Sequence, residues 1–114
     1  MQLKVETSSP RQGVVVLVLG GEVDVYTSPR LKQEMVEHLN RGAQNLIINL
    51  SSVDYLDSTG LGVLIGGLKR ARERSGDLRL VCDSLRILRI FEITGLTKIF
   101  DIHHSETEAL ATLE

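Results

Sequence analysis

Leu46-Ile47-Ile48-Asn49-Leu50-Ser51-Ser52-Val53-Asp54-Tyr55-Leu56-Asp57-Ser58-Thr59-Gly60-Leu61-Gly62-Val63-Leu64-Ile65-Gly66-Gly67-Leu68 is the stretch whose reading decides the fold. The run Leu46–Leu50 is short and apolar, which predicts a strand. Leu61, Leu64, Ile65 and Leu68 fall at i, i+3, i+4 and i+7, one face of a helix. Ser51–Leu56 is read as the connection between them, and Asp57-Ser58-Thr59-Gly60 as the turn that opens the helix. Lys69, Arg70, Arg72 and Arg74 follow, and cations suit the negative end of a helix dipole. Gly76 ends the segment.

Outward from this unit the same alternation recurs. Val14–Leu19 reads as a buried strand ending at Gly20-Gly21, with Leu3-Lys4-Val5-Glu6 as an antiparallel edge strand and Pro10–Gly13 as the turn between them. Ser28 can cap a helix and Pro29 suits its first position. Leu31, Met35, Val36 and Leu39 then make one apolar face, closed by Asn40-Arg41-Gly42. Leu78–Cys82 reads as a strand, Asp83 or Ser84 as the cap of a helix reaching about Ile93, and Ile99–Ile102 as a last strand after Gly95. Ser105 starts a C-terminal helix with Glu106 and Glu108 in its first turns. The order β-β-α-β-α-β-α-β-α defines an α/β fold. It implies a mixed, mostly parallel sheet of about five strands with about four helices and right-handed crossovers. No linker, repeat or low-complexity segment interrupts it, and one domain is expected over residues 1–114.

Composition narrows the function classes. The chain has 114 residues, 42% hydrophobic and 25% charged, as soluble globular domains do. Net charge is −2 and aromatics are 4%, so neither nucleic acid nor a membrane is indicated as a partner. Cys82 stands alone within Leu80-Val81-Cys82, and the expectation is a small buried apolar residue in a reducing compartment. Residues 1–9 are polar and do not resemble a signal peptide. Thr59–Leu68 is about half of what a membrane span needs. A cytoplasmic location is expected.

The Asp57-Ser58-Thr59-Gly60 turn carries two hydroxyls beside a carboxylate, where a strand ends and a helix begins. Sites in open α/β sheets usually lie at such places. Helix starts expose N–H groups and partial positive charge, so a phosphate there is stabilised. Phosphorylating Ser58 would add roughly −1.5 to −2 charges and alter the surface while leaving the fold standing. The competing reading makes Ser58 an N-cap, since Ser and Asp are common caps. Gly60, Gly62, Gly66 and Gly67 bear on the choice, because each mid-helix glycine costs about 1 kcal/mol against alanine. Close packing of the inner face on the sheet, or a smooth outer face for a partner, would explain them. Gly62 and Gly66 share one face. Their spacing fits neither a Walker loop nor a dinucleotide fingerprint.

Val53-Asp54-Tyr55-Leu56-Asp57-Ser58-Thr59-Gly60-Leu61-Gly62-Val63-Leu64 resembles the signature of the STAS domain, the family of bacterial anti-sigma factor antagonists. Gly20-Gly21-Glu22-Val23-Asp24-Val25-Tyr26-Thr27-Ser28-Pro29 resembles that family's strand ending in Gly-x-(Ile/Val/Leu)-Asp. Ile93-Thr94-Gly95-Leu96-Thr97-Lys98-Ile99-Phe100 resembles its late helix-to-strand turn. Tyr26-Thr27-Ser28-Pro29 and Gly66-Gly67-Leu68-Lys69-Arg70 look most like actinobacterial members. The resemblance implies partner switching. The unphosphorylated antagonist binds an anti-sigma factor, which is also a serine kinase with a histidine-kinase-like ATPase fold, and so frees a sigma factor. The kinase phosphorylates the motif serine, here Ser58, and a PP2C-type phosphatase using divalent metal reverses this. Asp24 and Asp57 match the family's acidic residues at the serine. The resemblance extends the partner site to Tyr26, Thr27, Thr59, Gly60, Gly62, Val63 and Gly66.

Other chemistry is weakly signalled. A serine nucleophile needs a base, usually histidine, and His38, His103 and His104 follow no nucleophile-elbow pattern. No enzyme, cofactor or metal is expected. His103 and His104 read as surface loop residues. Asp24 and Asp57 read as turn and cap residues that could also position the Ser58 hydroxyl. Thr59 is a rival acceptor, one residue further into the helix, where its hydroxyl is expected to bond backbone. The run 69–74 reads as a solvated face, with the rim of the partner site as the alternative. A STAS scaffold, or a nucleotide- or ligand-sensing module, remains the second functional reading.

Overall fold

In the computed structural model, which describes residues 2–113, a five-stranded sheet has the order β1-β2-β3-β4-β5. Met1 and Glu114, the two ends of the expected 1–114 unit, lie outside the described residues. Strand β1 (Leu3–Arg11) runs antiparallel to β2 (Val14–Val23). Strands β3 (Asn45–Leu56), β4 (Asp77–Val81) and β5 (Asp101–His103) all join in parallel. Helices α1 (Ser28–Asn40), α2 (Ser58–Glu73) and α3 (Leu85–Ile93) make the crossovers, and α4 (Glu106–Ala111) follows β5. This is the mixed, mostly parallel α/β architecture read from the sequence.

Strand parity explains the layering. Each crossover steps one strand in the same direction, and a repeated right-handed crossover keeps its helices on one face. Leu17, Leu19, Leu46, Ile48, Leu50, Leu78 and Leu80 point to that face. They pack with Leu31 and Met35 of α1, Leu64 and Leu68 of α2, and Ile87 and Phe91 of α3. Val14, Val16, Ile47 and Val81 point the other way and meet Ala109, Leu110 and Leu113 of the C-terminal segment. Strands buried on both faces read as unbroken apolar runs, which is why Val14–Leu19 and Leu46–Ile48 show no alternation. Cys82 is fully buried, and burial pushes its thiol pKa up.

Several boundaries differ from the sequence reading. Pro10 lies inside β1, on the edge of the sheet, where its missing N–H removes no ladder bond; the register slips between Ser8 and Arg11. Strand β2 does not stop at Gly20-Gly21 but shifts register there and continues to Val23. Gly21 has φ +98, and the Gln2 carbonyl approaches so closely that no side chain fits. Ser51–Leu56 is strand, because pairing with β2 resumes beyond the irregularity at Gly20/Ser52, Gly21/Val53, Glu22/Tyr55 and Val23/Leu56. Helix α2 ends at Glu73, before Gly76, with Ser75 at φ 64. The last strand starts at Asp101, because Gly95, at φ 75, leads into a 3-10 turn over Leu96–Lys98. Helix α3 is capped by Ser84, whose hydroxyl accepts from the Ile87 amide.

At the edge opposite the β2 and β3 C-termini, Asp77 organises the start of β4. Its Oδ1 accepts from the Leu78 amide at 2.9 Å and from Arg72 at 3.3 Å, and its Oδ2 pairs with Arg79. Burial raises the Asp77 carboxyl, but the Arg79 hydrogen bond, the Leu78 amide and the charges of Arg79 and Arg72 outweigh it. The net effect holds the group below its ordinary value. A depressed native pKa adds stability above the unfolded pKa of about 4, and that stability is lost as pH falls through the native value. Asp77→Asn is therefore expected to be less stable than wild type at pH 7, with the gap closing below about pH 4. Urea unfolding at pH 7 and pH 3 tests this; an undiminished gap at pH 3 would exclude the charge as its origin.

Candidate functional site

Strands β2 and β3 outrun the rest of the sheet. The last β3–β4 pair is Asn49 with Val81, whereas β2 and β3 stay paired as far as Val23 with Leu56. Their ends form a projecting tip that carries the Asp24 and Asp57 turns side by side. The Asp57 amide donates to the Val23 carbonyl at 3.2 Å, which locks the two turns together.

The first turn is built on Asp24, only 2% exposed. Its Oδ1 accepts from the Tyr26 and Thr27 amides at 2.8 and 3.0 Å. The Thr27 hydroxyl accepts from the Asp24 amide at 3.0 Å and donates to the Glu22 carbonyl at 2.7 Å. This Asx turn does the work expected of Ser28 as cap. Ser28 is instead the buried first residue of α1, with Thr27 at the cap position and no side-chain cap bond there. The Oδ2 of Asp24 is buried without a hydrogen-bond partner among the described residues.

The second turn is built on Asp57, which takes the cap position of α2 and accepts from the Gly60 amide at 3.0 Å. Ser58 thus stands at the first helical position with an exposed side chain, and the cap reading falls to its neighbour. Thr59 is exposed as well, so exposure does not separate the two hydroxyls. A Cβ on Gly60 would lie 2.7 Å from Val23 Cγ1, 2.8 Å from Leu56 Cδ1 and 2.9 Å from the Val23 carbonyl. Only glycine lets α2 start flush against β2. Gly67 is held in the same way, by Met35 and Leu78. Gly62 meets nothing within 4 Å, and Gly66 lies under the Arg70 guanidinium. Close packing of the inner face therefore accounts for Gly60 and Gly67, and Gly62 leaves the outer face open.

Of the sequence-derived site residues, Tyr26, Ser58, Thr59 and Gly62 are exposed, and Asp57, Val63 and Gly66 are half-buried. Asp24, Thr27 and Gly60 are buried, so they shape the site from beneath instead of lining its surface. The sequence reading passed over Val25 and Tyr55, exposed by 56% and 49% beside Tyr26 at 78%. Tyr55 pairs with Glu22 across β2 and β3, a neighbourhood that reading 51–56 as a connection does not reveal.

Residues 69–74 meet the sequence-derived site at its Gly66 end, where the Arg70 guanidinium lies over Gly66. They lie 11 to 16 residues along α2 from Ser58, roughly 17–24 Å at 1.5 Å per residue. Arg74 instead ties the two helix ends together, donating to the Leu39 carbonyl and Asn40 Oδ1 at 2.6 Å each. His103 is a half-buried strand residue in register with Val81, not part of a loop, and its Nε2 is buried without a partner among the described residues. No group of three or more His, Cys, Asp or Glu among the described residues could hold a metal. No described helix is long and apolar enough to cross a membrane.

A sequentially ordered mixed sheet, three helices on one face and an Asp-capped Ser-Thr-Gly helix start define the STAS class of domain. The STAS domain family matches residues 8–109, and the chain belongs to that family. It is 37% identical over 108 residues to the anti-sigma-B factor antagonist of Listeria monocytogenes, covering 95% of each chain. It is 39% identical over 103 residues to the protein of the same name from Staphylococcus aureus, covering 90% of this chain and 94% of that one. Among solved structures, an anti-sigma factor antagonist from Mycobacterium paratuberculosis superposes with a TM-score of 0.88 at 27% identity, covering 98% of this chain and 94% of the other.

Two glycine substitutions test the site's construction. Gly60→Ala forces a methyl into Val23 and Leu56 and should cost at least about 2 kcal/mol. Gly62→Ala meets open space and should gain up to about 1 kcal/mol from helix propensity. Chemical denaturation of both variants reads the contrast, and equal effects would refute the flush packing of α2.

Proposed function

We propose that this chain is an anti-sigma factor antagonist whose binding is switched by phosphorylation of Ser58. In its unphosphorylated form it binds an anti-sigma factor that is also a serine kinase with a histidine-kinase-like ATPase fold, and thereby releases a sigma factor. The kinase transfers phosphate from ATP to Ser58 and the complex separates. A PP2C-type phosphatase restores the binding form. The chain itself acts in this cycle as a binding partner and a substrate.

The observation that carries this reading is the division of labour at the helix start. Asp57 supplies the cap, so the Ser58 hydroxyl is exposed at the N-terminus of a sixteen-residue helix, available for transfer. The N-terminal amides and helix dipole favour the phosphate once formed. The buried Asp24 turn and the Asp57–Val23 bond hold the site whichever state Ser58 is in. The names of the Listeria and Staphylococcus relatives support the antagonist class.

Incubation with the cognate kinase and ATP, followed by mass spectrometry, should place one phosphate on Ser58 and none on Ser58→Ala. Ser58→Asp should lose anti-sigma factor binding while its melting temperature stays within about 2 °C of wild type, as surface substitutions do. Phosphate on Thr59, or unfolding of Ser58→Asp, would defeat the proposal.

A further inference from the structure

We infer that the outer face of α3 is a surface for a second copy of this chain, joined across a two-fold axis with the two α3 helices antiparallel. Leu85, Arg86, Arg89, Glu92 and Ile93 are all exposed, whereas Ile87 and Phe91 of the same helix are buried. The exposed residues fall at i, i+1, i+4, i+7 and i+8, so they form one stripe along α3. Leu85 and Ile93 are 81% and 78% exposed, well above Val25 at 56% and Ile99 at 45%. A single exposed apolar side chain is ordinary, but here two close both ends of one stripe.

The helix beneath the stripe is fixed. At its start the Ser84 hydroxyl accepts from the Ile87 amide, and past its end Gly95 turns the chain away at φ 75. Ile87 and Phe91 anchor it in the core, and Phe91 meets the Phe100 ring edge-on at 5.8 Å between centroids. A partner therefore meets a preformed surface, which lowers the entropic cost of binding.

The order of the stripe selects the partner. From Leu85 to Ile93 it reads apolar, basic, basic, acidic, apolar. Turned end for end about Arg89, it sets Leu85 opposite the second copy's Ile93 and Arg86 opposite the second copy's Glu92. A two-fold axis makes each contact twice, giving two apolar pairs and two ion pairs. The two Arg89 side chains meet at the axis, each one helical turn from the other copy's Glu92. Parallel helices would instead set Arg86 and Arg89 against themselves with no acid between them, and a uniformly acidic partner would repel Glu92. The ion pairs of the described residues join Arg72 and Arg79 with Asp77 and Asp101, so Arg86, Arg89 and Glu92 are free to meet an outside partner.

Helix α3 has nine residues, which makes a seam roughly 13 Å long at 1.5 Å per residue. A seam of that length buries less than the roughly 1,200–2,000 Å² of stable complexes, so the dimer is weak and depends on concentration. Crossover helices run opposite to their strands, so antiparallel α3 helices point the two Ser58 turns in opposite directions.

Sedimentation of the full chain between about 20 µM and about 1 mM tests this. Wild type is expected to move from monomer toward dimer across that range. Leu85→Glu, at a helix start that favours acid, should weaken association at least about tenfold with an unchanged melting temperature. Arg86→Glu and Glu92→Arg each set like charges opposite one another twice, and each alone should stay monomeric. Mixed in equal amounts they should associate again, because the mixed pair restores opposite charges at both contacts. Mixing cannot repair a folding defect, so this result belongs to the interface. Wild type that is monomeric throughout, association that survives Leu85→Glu, or mixed variants no more associated than either alone would overturn the inference. So would loss of anti-sigma factor binding by Leu85→Glu with wild type and variant alike monomeric, which would give the stripe to that partner instead.

Discussion

Everything at the tip depends on how closely α2 approaches β2. The Val23 carbonyl receives the Asp57 amide, and the space beside Val23 and Leu56 admits a hydrogen at Gly60 but no methyl. That contact sets where the helix begins, and therefore which residue caps it and which is presented. Asp57 faces its own helix and caps it; Ser58, one residue on, faces solvent. A shift of one residue would exchange these roles.

Stability and presentation are assigned to different groups. Asp24 and Thr27 spend their hydrogen bonds on the turn beneath the surface, and Asp57 on the first turn of α2. Tyr26, Tyr55 and Ser58 stand exposed above them. Because the supporting bonds do not pass through the Ser58 hydroxyl, a modification there changes the surface without removing a support. Helix α2 shows the same division along its length. Gly60 and Gly67 let it press on β2 and α1, while Gly62 leaves its outer face low.

Much of this was legible in the chain. The apolar runs Val14–Leu19 and Leu46–Ile48 marked strands buried on both faces, and the 3.6-residue spacing of Leu61, Leu64 and Leu68 marked α2. What was read short were segments whose partner decides their state. Ser51, Ser52 and Asp54 look like loop residues, yet pairing with β2 makes them strand. Gly20-Gly21 looks like a strand end, yet the β1 backbone needs that gap and the strand runs on past it.

The sequence by itself determined the α/β order, the family resemblance and the presence of a hydroxyl at a helix start, because hydrophobic period and local turn chemistry are properties of neighbouring residues. Only the tertiary structure decided that Asp57 and not Ser58 is the cap, that Asp24 lies buried under the site, and that Tyr55 stands across from Glu22. Those facts depend on the register between β2 and β3, which joins residues some 33 positions apart, as Glu22 to Tyr55. Local patterning carries no record of that distance.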